Sequence, residues 1–288
     1  MEPQPVITAF FDPATYTVSY VLADPATRHA AIIDPVLDFD PKSGRTSTKS
    51  AEKVVAAAES EHLTVDWILE THAHADHLSA AQFLKQRLGA RVAIGEHVKE
   101  VQNTFRPIFN AEDVTGDGAP FDRLLKDGEK LAVGRLEVEV LYTPGHTPAC
   151  VSYKAGNNVF VGDTLFMPDY GTARTDFPGG DARTLYRSIR RILSLPPETI
   201  LWMCHDYGSP TRTTFAWKTT IGAERLDNVH IHQGIDEDSF VTMRSGRDKT
   251  LSMPLLILPA VQVNIRAGKM PPPESDGQVY LKLPVDRL

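Results

Sequence analysis

The chain has 288 residues, with 30 Lys+Arg against 37 Asp+Glu and a formal net charge of −7, a balance that argues against non-specific binding to nucleic acid. With 42% hydrophobic and 23% charged residues it is globular, and no apolar run reaches the ~18 residues of a membrane span. Two cysteines, Cys150 and Cys204, exclude a disulfide scaffold, and a start without a basic n-region or apolar h-region gives no secretory signal, so a reducing, cytoplasmic setting is expected.

In chain order, Tyr16, Val18 and Tyr20 alternate with Thr17 and Ser19 at the period of a half-buried strand. Ala30 to Ile33 is a short strand closed by Asp34-Pro35, and the Pro/Gly/Ser-rich stretch 38–50 reads as a loop. Residues 51–60 have helix-forming composition with Val54, Val55 and Ala58 inward. Val65 to Leu69 is another strand. Ala81, Leu84 and Leu88 recur at helical spacing, with Gly89 as the stop. Then come a strand at 92–94, a helix at 96–105 and a Gly/Asp-rich loop at 110–120. Leu136 to Tyr142 alternates cleanly, and 151–153 and 159–161 flank the turn residues of a hairpin. Leu185, Ile189 and Ile192 mark a helix whose Arg187, Arg190 and Arg191 form a solvated face, and 200–203 is the last strand. After Asp236 the Pro-rich chain reads as an extended tail packed on the body, giving a domain at 1–235 and an extension at 236–288.

Histidine and aspartate gather at strand ends. Thr71-His72-Ala73-His74-Ala75-Asp76-His77 follows one strand and precedes a helix; residues two apart share a face, so His72, His74 and Asp76 converge, with His77 at the helix start. His146 follows the strand 136–142, Asp163 follows 159–161, and His205 follows 200–203. Carboxyl ends of strands are where α/β folds bind ligands, and imidazole with carboxylate suits Zn or Fe. His29, His62, His97, His230 and His232 carry no such context and read as surface or hydrogen-bonding residues. Cys204, adjacent to His205 in extended chain, is expected to point away from the site as a small buried hydrophobe, and Cys150 is read as structural.

The order HxHxDH, His, Gly-Asp, His resembles the metallo-β-lactamase superfamily over about residues 6 to 230. The resemblance implies an αββα sandwich with a first metal position near His72, His74, His146 and Asp163. It places a second near Asp76, His77, His205 and a shared Asp163. Within the superfamily, Gly145-His146-Thr147-Pro148-Ala149-Cys150, Gly171 to Phe177 and His205-Asp206-Tyr207 resemble the persulfide dioxygenases, with Ala149 where those carry Gly. The tail from Leu255 to Pro271 is similar to that of their bacterial branch.

That likeness implies one Fe(II) held by His72, His146 and Asp163, with His74, Asp76, His77 and His205 orienting the ligands. The implied reaction takes glutathione persulfide, O2 and water to glutathione and sulfite, with Arg174, Tyr207 and Arg212 as candidate contacts for glutathione. An Arg174–Asp176 ion pair is the competing role for Arg174. The rival enzyme is a dinuclear zinc thioester hydrolase of the glyoxalase II type, for which every ligand is present. A non-catalytic metal-bound sensor is the reading from another class. Neither nucleic acid nor membrane is an expected partner, and a homodimer is kept open.

Overall fold

The computed structural model describes residues 3–210 and 212–287. The first half of the chain forms β1 (Val6–Asp12), β2 (Thr17–Ala23), β3 (His29–Ile33), β4 (Val36–Asp40), β5 (Arg45–Ser47), α1 (Lys49–Ser60), β6 (Thr64–Leu69), β7 (Leu78–Ser79), α2 (Ala81–Leu88), β8 (Arg91–Gly95), α3 (Val98–Ile108) and β9 (Arg123–Leu125). The second half forms β10 (Lys130–Val133), β11 (Leu136–Tyr142), β12 (Val151–Ala155), β13 (Asn158–Phe160), α4 (Ala182–Ile192), β14 (Ile200–Trp202), β15 (Lys218–Thr220), α5 (Ile221–Asp227), α6 (Glu237–Asp248) and α7 (Ile257–Asn264).

One six-stranded sheet runs β1-β2-β3-β6-β8-β9, and a second runs β10-β11-β12-β13-β14-β15. Their facing sides interlock through Val18, Tyr20, Ile33 and Leu69 from the first and Val138, Val140, Tyr153 and Phe160 from the second. The outer face of the first sheet is covered by apolar residues of α1, α2, α3 and α7, and that of the second by α4 with Phe240 of α6. The layers are therefore helix, sheet, sheet, helix. Burial explains the strand patterns: every residue of β2 is buried, so its alternation does not mark a wet face.

Several expectations change. The stretch 38–50 is not a loop: β4 and β5 pair as an antiparallel hairpin, and Asp40 accepts from Lys42 N–H and the Ser43 hydroxyl to make the turn. The chain after Asp236 is not extended throughout, because it includes α6 and α7. Asp236 caps α6 by accepting from Ser239 N–H at 2.8 Å. Pro259 is tolerated in α7 because it lies in the first turn, where its missing N–H has no helical partner to lose. The basic face of α4 is exposed and paired, Arg187 with Glu237 and Arg191 with Asp127.

The buried amide of Asn264, at the end of α7, donates to the carbonyls of His74 and His77 at 2.8 Å each and accepts from Ser79 N–H at 2.8 Å. The tail thus pins the loop between β6 and β7. Removing a buried partner leaves each orphaned group at a cost of about 1–3 kcal/mol. Asn264→Ala is accordingly expected to lower the thermal midpoint by about 5 °C or more, which calorimetry would read; an unchanged midpoint would mean that the loop is held by other contacts.

Glu224 of α5 is fully buried; Asn228 donates to one of its carboxyl oxygens while the other has no hydrogen bond. Burial pushes its pKa from the ordinary 4.5 up to about 8. A raised acid pKa means that the folded chain holds a proton the unfolded chain has lost, so this residue costs stability as pH rises from 4.5 toward 8. Glu224→Gln is expected to raise the melting temperature at pH 8 by about 5–10 °C and to change it far less at pH 5. Equal shifts at both pH values would overturn that account.

Candidate metal centre

Five strand ends meet at one edge of the sandwich. β3 ends at Asp34, β6 leads into Thr71 to His77, β11 into His146, β13 into Asp163 and β14 into His205. The two sheets are stitched at this edge by Val18 N–H donating to the Cys204 carbonyl at 2.7 Å and Asp206 N–H donating to the Tyr16 carbonyl at 3.1 Å. Two turns demand glycine. A Cβ on Gly145 (φ +134°) would meet the Leu185 backbone at 2.3 Å, and one on Gly162 (φ +52°) would meet the Thr71 side chain at 2.8 Å. These turns aim His146 and Asp163 at the HxHxDH loop.

All seven histidines and aspartates expected at the site come together. Ligand atoms of His72, His146 and Asp163 lie within 4.8 Å of one another, and so do those of His74, Asp76, His77 and His205. His74 sits between the sets, its ring centroid 4.0 Å from that of His72 and 4.1 Å from that of His77. Asp163 faces both: Oδ2 is 4.0 Å from His72 Nε2 and 3.8 Å from His146 Nε2, while Oδ1 is 3.3 Å from His205 Nε2.

Hydrogen bonds set which ring nitrogen carries the lone pair. The Thr71 hydroxyl donates to Asp34 Oδ2 at 2.8 Å, so His72 Nδ1–H donates to Thr71 Oγ1 at 3.0 Å and Nε2 is left bare. His74 Nε2–H donates to Asp34 Oδ1 at 3.0 Å, leaving Nδ1 bare. His146 Nδ1–H donates to the Arg174 carbonyl at 2.8 Å, leaving Nε2. Among the described residues the buried side-chain nitrogens and oxygens without a hydrogen bond are almost all here: His72 Nε2, His74 Nδ1, Asp76 Oδ2, His77 Nε2, Asp163 Oδ1 and both nitrogens of His205. Orphaned, inward-facing imidazole nitrogens beside carboxylates are the donor type that metal ions bind, and here they fall in two sets.

The electrostatics divide the histidines. Burial, with the neighbouring imidazoles, holds His72 well below its usual pKa, so its unprotonated form is favoured. Burial and His74 likewise lower His77. Burial disfavours charge on His74, but Asp34 and Glu70 outweigh it and raise its pKa well above the ordinary value. Burial also opposes ionisation of Asp76, yet His205 and His77 outweigh it and keep the carboxyl ionised.

Asp34, Thr71, Glu70 and Asn264 were not singled out from sequence; Asp34-Pro35 reads there only as a strand stop. Asp34 takes φ +49°, which Asp tolerates, and so turns its carboxylate under the loop. Cys204 does not point away from the site. The backbone bends there, and Sγ lies 3.6 Å from Asp34 Oδ2 and within 4.8 Å of ligand atoms of Asp163 and His205. Cys150 is buried against Thr147, its Sγ 3.1 Å from the hydroxyl, and burial pushes its thiol up to about 12. Of the other histidines, His29 pairs with Asp66 and His97 with Glu100, both at 2.9 Å or less, and His230 Nδ1 accepts from Thr172 N–H.

The metal set opens into a cavity of about 450 Å³ walled by Phe166, Tyr170, Tyr207 and the segment Leu251 to Leu256. Arg174 lines it, but its guanidinium is committed to Asp176 (2.6 Å, two contacts) and to the Ser252 carbonyl (2.7 Å). Arg212 is not among the lining residues; Asp206 and Asp169 grip it at 2.6–3.1 Å, so it braces the turn carrying His205 and Tyr207. Tyr207 lines the cavity with its ring stacked on His205, centroids 5.4 Å apart.

Residues 12–205 match the family described as the metallo-beta-lactamase superfamily. A probable metallo-hydrolase of Burkholderia pseudomallei is 55% identical over 98% of this chain and 99% of its own length. Glyoxylase B2 of Dictyostelium discoideum is 48% identical over 98% and 97%. The human mitochondrial persulfide dioxygenase ETHE1 is 28% identical over 93% and 90%. The crystal structure of ETHE1 from Myxococcus xanthus superposes with a TM-score of 0.74 at 30% identity, covering 92% of this chain and all of that one. The sandwich, the strand-end ligands and these likenesses agree, and the chain belongs to the metallo-beta-lactamase superfamily of metal-dependent enzymes.

Proposed function

We propose that this protein is an iron-dependent persulfide dioxygenase that converts glutathione persulfide, O2 and water into glutathione and sulfite. Residues 1–235 form its catalytic domain and 236–288 an extension that packs on it. The observation that carries the reading is the His72–His146–Asp163 set, two imidazoles and one carboxylate opening on a cavity. Iron held by these three side chains would be reached from the cavity, where a persulfide sulfur and dioxygen could meet it. The likeness to the persulfide dioxygenases supports it.

Iron(II) in that set supplies electron exchange with dioxygen, which zinc cannot. The chain supplies orientation and shelter. Thr71 and the Arg174 carbonyl fix the His72 and His146 tautomers. His74, Asp76, His77 and His205 act on the ligands through charge and hydrogen bonds. Phe166, Tyr170 and Leu256 keep bulk water from the cavity. The Tyr207 hydroxyl makes no hydrogen bond among the described residues and is available to donate to the substrate. Arg174 holds the Gly171–Phe177 segment against the tail through Ser252.

A second reading, a dinuclear zinc thioester hydrolase of the glyoxalase II type, is favoured by the completeness of the His74–Asp76–His77–His205 set and by the likeness to glyoxylase B2. Protein purified in air and analysed for metals separates the two. About one iron per chain, with O2 uptake on adding glutathione persulfide, is expected. About two zincs per chain with cleavage of a lactoyl-glutathione thioester would replace the first reading by the second.

The ligand assignment carries its own test. His72→Ala, His146→Ala and Asp163→Ala are each expected to abolish iron retention and oxygen uptake. A His146→Ala protein that keeps both would refute the assignment.

A further inference from the structure

Glu224 of α5 is a buried carboxyl that the metal chemistry does not use. Its Oε1 has no hydrogen bond among the described residues, and its Oε2 accepts from Asn228 Nδ2 at 2.6 Å. Asn228 is also fully buried. Its Nδ2 donates a second time, to the Gly171 carbonyl at 3.1 Å, while its Oδ1 accepts from His230 N–H at 2.9 Å and Ile231 N–H at 3.2 Å. His230 Nδ1 in turn accepts from Thr172 N–H at 3.0 Å. The packing is as close as the bonding: Gly171 takes φ +103°, and a Cβ there would meet the His230 ring at 2.1 Å.

These partners lead to the cavity. Thr172, Ala173 and Arg174 line it, as do Phe166 and Tyr170 just before them. Phe166 N–H donates to the same Gly171 carbonyl at 3.0 Å, and the Arg174 carbonyl holds the Nδ1–H of His146. The wall segment 166–174 therefore rests on the turn after α5, and that turn rests on Glu224. We propose that Glu224 is a positioning residue, which seats the 166–174 wall of the cavity while its carboxyl is protonated and releases it when the proton is lost. This role goes beyond both readings above and serves either of them, because the cavity is common to both.

The surroundings of Glu224 explain the direction. Asp169 of the wall segment and Asp227 of α5 are the charged groups that act on it, and both are acidic. Asp169 is itself held by Arg212. Arg225 is spent on the carbonyls of Leu193 and Leu195, and Lys218 of β15 lies over the Trp202 ring. With no cation to meet the ionised form, burial pushes the Glu224 pKa up to about 8. Burial, with Arg244 and Arg247, lowers His230 to about 4, so His230 stays a neutral acceptor throughout. Loss of the Glu224 proton leaves a carboxylate with one bare oxygen in a dry site, facing two like charges, and water relieves it. The turn has water beside it, since Leu226 and Val229 are exposed. Moving the turn outward carries Asn228 and His230 away from Gly171 and Thr172.

The test is hydrogen exchange read by mass spectrometry on the metal-loaded full chain, as wild type, Glu224→Gln and Asn228→Ala. At about pH 9, peptides covering 166–174 are expected to exchange about tenfold faster in wild type than in Glu224→Gln, and at about pH 7 alike. Asn228→Ala, which cuts the link, should exchange fast in this segment at both. Peptides of β11 and β12 report global opening. Equal exchange of 166–174 in wild type and Glu224→Gln at the higher pH would overturn the proposal. So would a difference spread equally over β11 and β12, or an Asn228→Ala protein protected like wild type. In turnover of glutathione persulfide at about pH 9, the wild-type KM should exceed that of Glu224→Gln about fivefold, with kcat within about twofold. Equal KM values would likewise overturn it. Wild type without oxygen uptake on the persulfide would overturn the dioxygenase reading alone, because the exchange result does not depend on which reaction the cavity serves.

Discussion

The site is built on an unfavourable burial. Six ionisable side chains, His72, His74, Asp76, His77, Asp163 and His205, are gathered with inward nitrogens and oxygens that no protein group satisfies. Withdrawing such groups from water costs several kcal/mol each unless something compensates. Hydrogen bonds do not do so for His72, whose outward nitrogen is committed to Thr71 and whose inward one is an acceptor. A cation is the partner that such bare acceptor atoms fit, at either of the two sets. Metal binding and the stability of this edge of the sandwich are therefore one free energy.

That requirement explains why residues far apart in the chain are fixed so firmly. Asp34 accepts from Thr71 N–H at 2.7 Å and from its hydroxyl at 2.8 Å, and it also receives His74 and the Cys204 thiol. One carboxylate at the end of β3 thereby ties the loop after β6 to the end of β14. Asn264 closes the same loop from the other side. Arg244 and Arg247 and the 251–256 wall bring the tail into the lining of the cavity. The family match ends at residue 205, so the cavity is walled in part by chain outside the matched stretch.

The cluster was legible because its members are local. HxHxDH is one run of six residues, and its neighbours stand directly after alternating strands. The layers were legible for the same reason, since β6, β11 and α4 carry their periods openly. What could not be read was whatever depends on a distant partner. Asn264 reaches back across 190 residues to His74, and nothing in its neighbourhood announces it. Arg212 was a candidate substrate contact beside the HDY turn, but it is held by Asp206 in that turn and by Asp169, 43 residues away. The Arg174–Asp176 pair, two residues apart, was readable and is formed. The helices α6 and α7 were obscured by proline, although Asp236 before Glu237-Asp238-Ser239 is a capping signal that composition alone overlooks.

The geometry of Asp163 bears on how many ions the centre needs. Its two oxygens face different partners, Oδ2 the His72–His146 side and Oδ1 His205. In a two-ion site this carboxylate would be shared by the two sets of residues. In the one-ion site proposed here the remaining groups must neutralise one another, and they are arranged to do so. His205 Nε2 lies 3.2 Å from Asp76 Oδ2, His77 Nδ1 lies 3.5 Å from Asp76 Oδ1, and burial leaves Asp76 ionised only because those imidazoles outweigh it. A carboxylate set between two imidazoles has partners within its own set, whereas Asp163 is shared, its Oδ1 facing His205 and its Oδ2 facing His72 and His146. The two sets are coupled through that one carboxylate, and a charge placed at one is felt at the other.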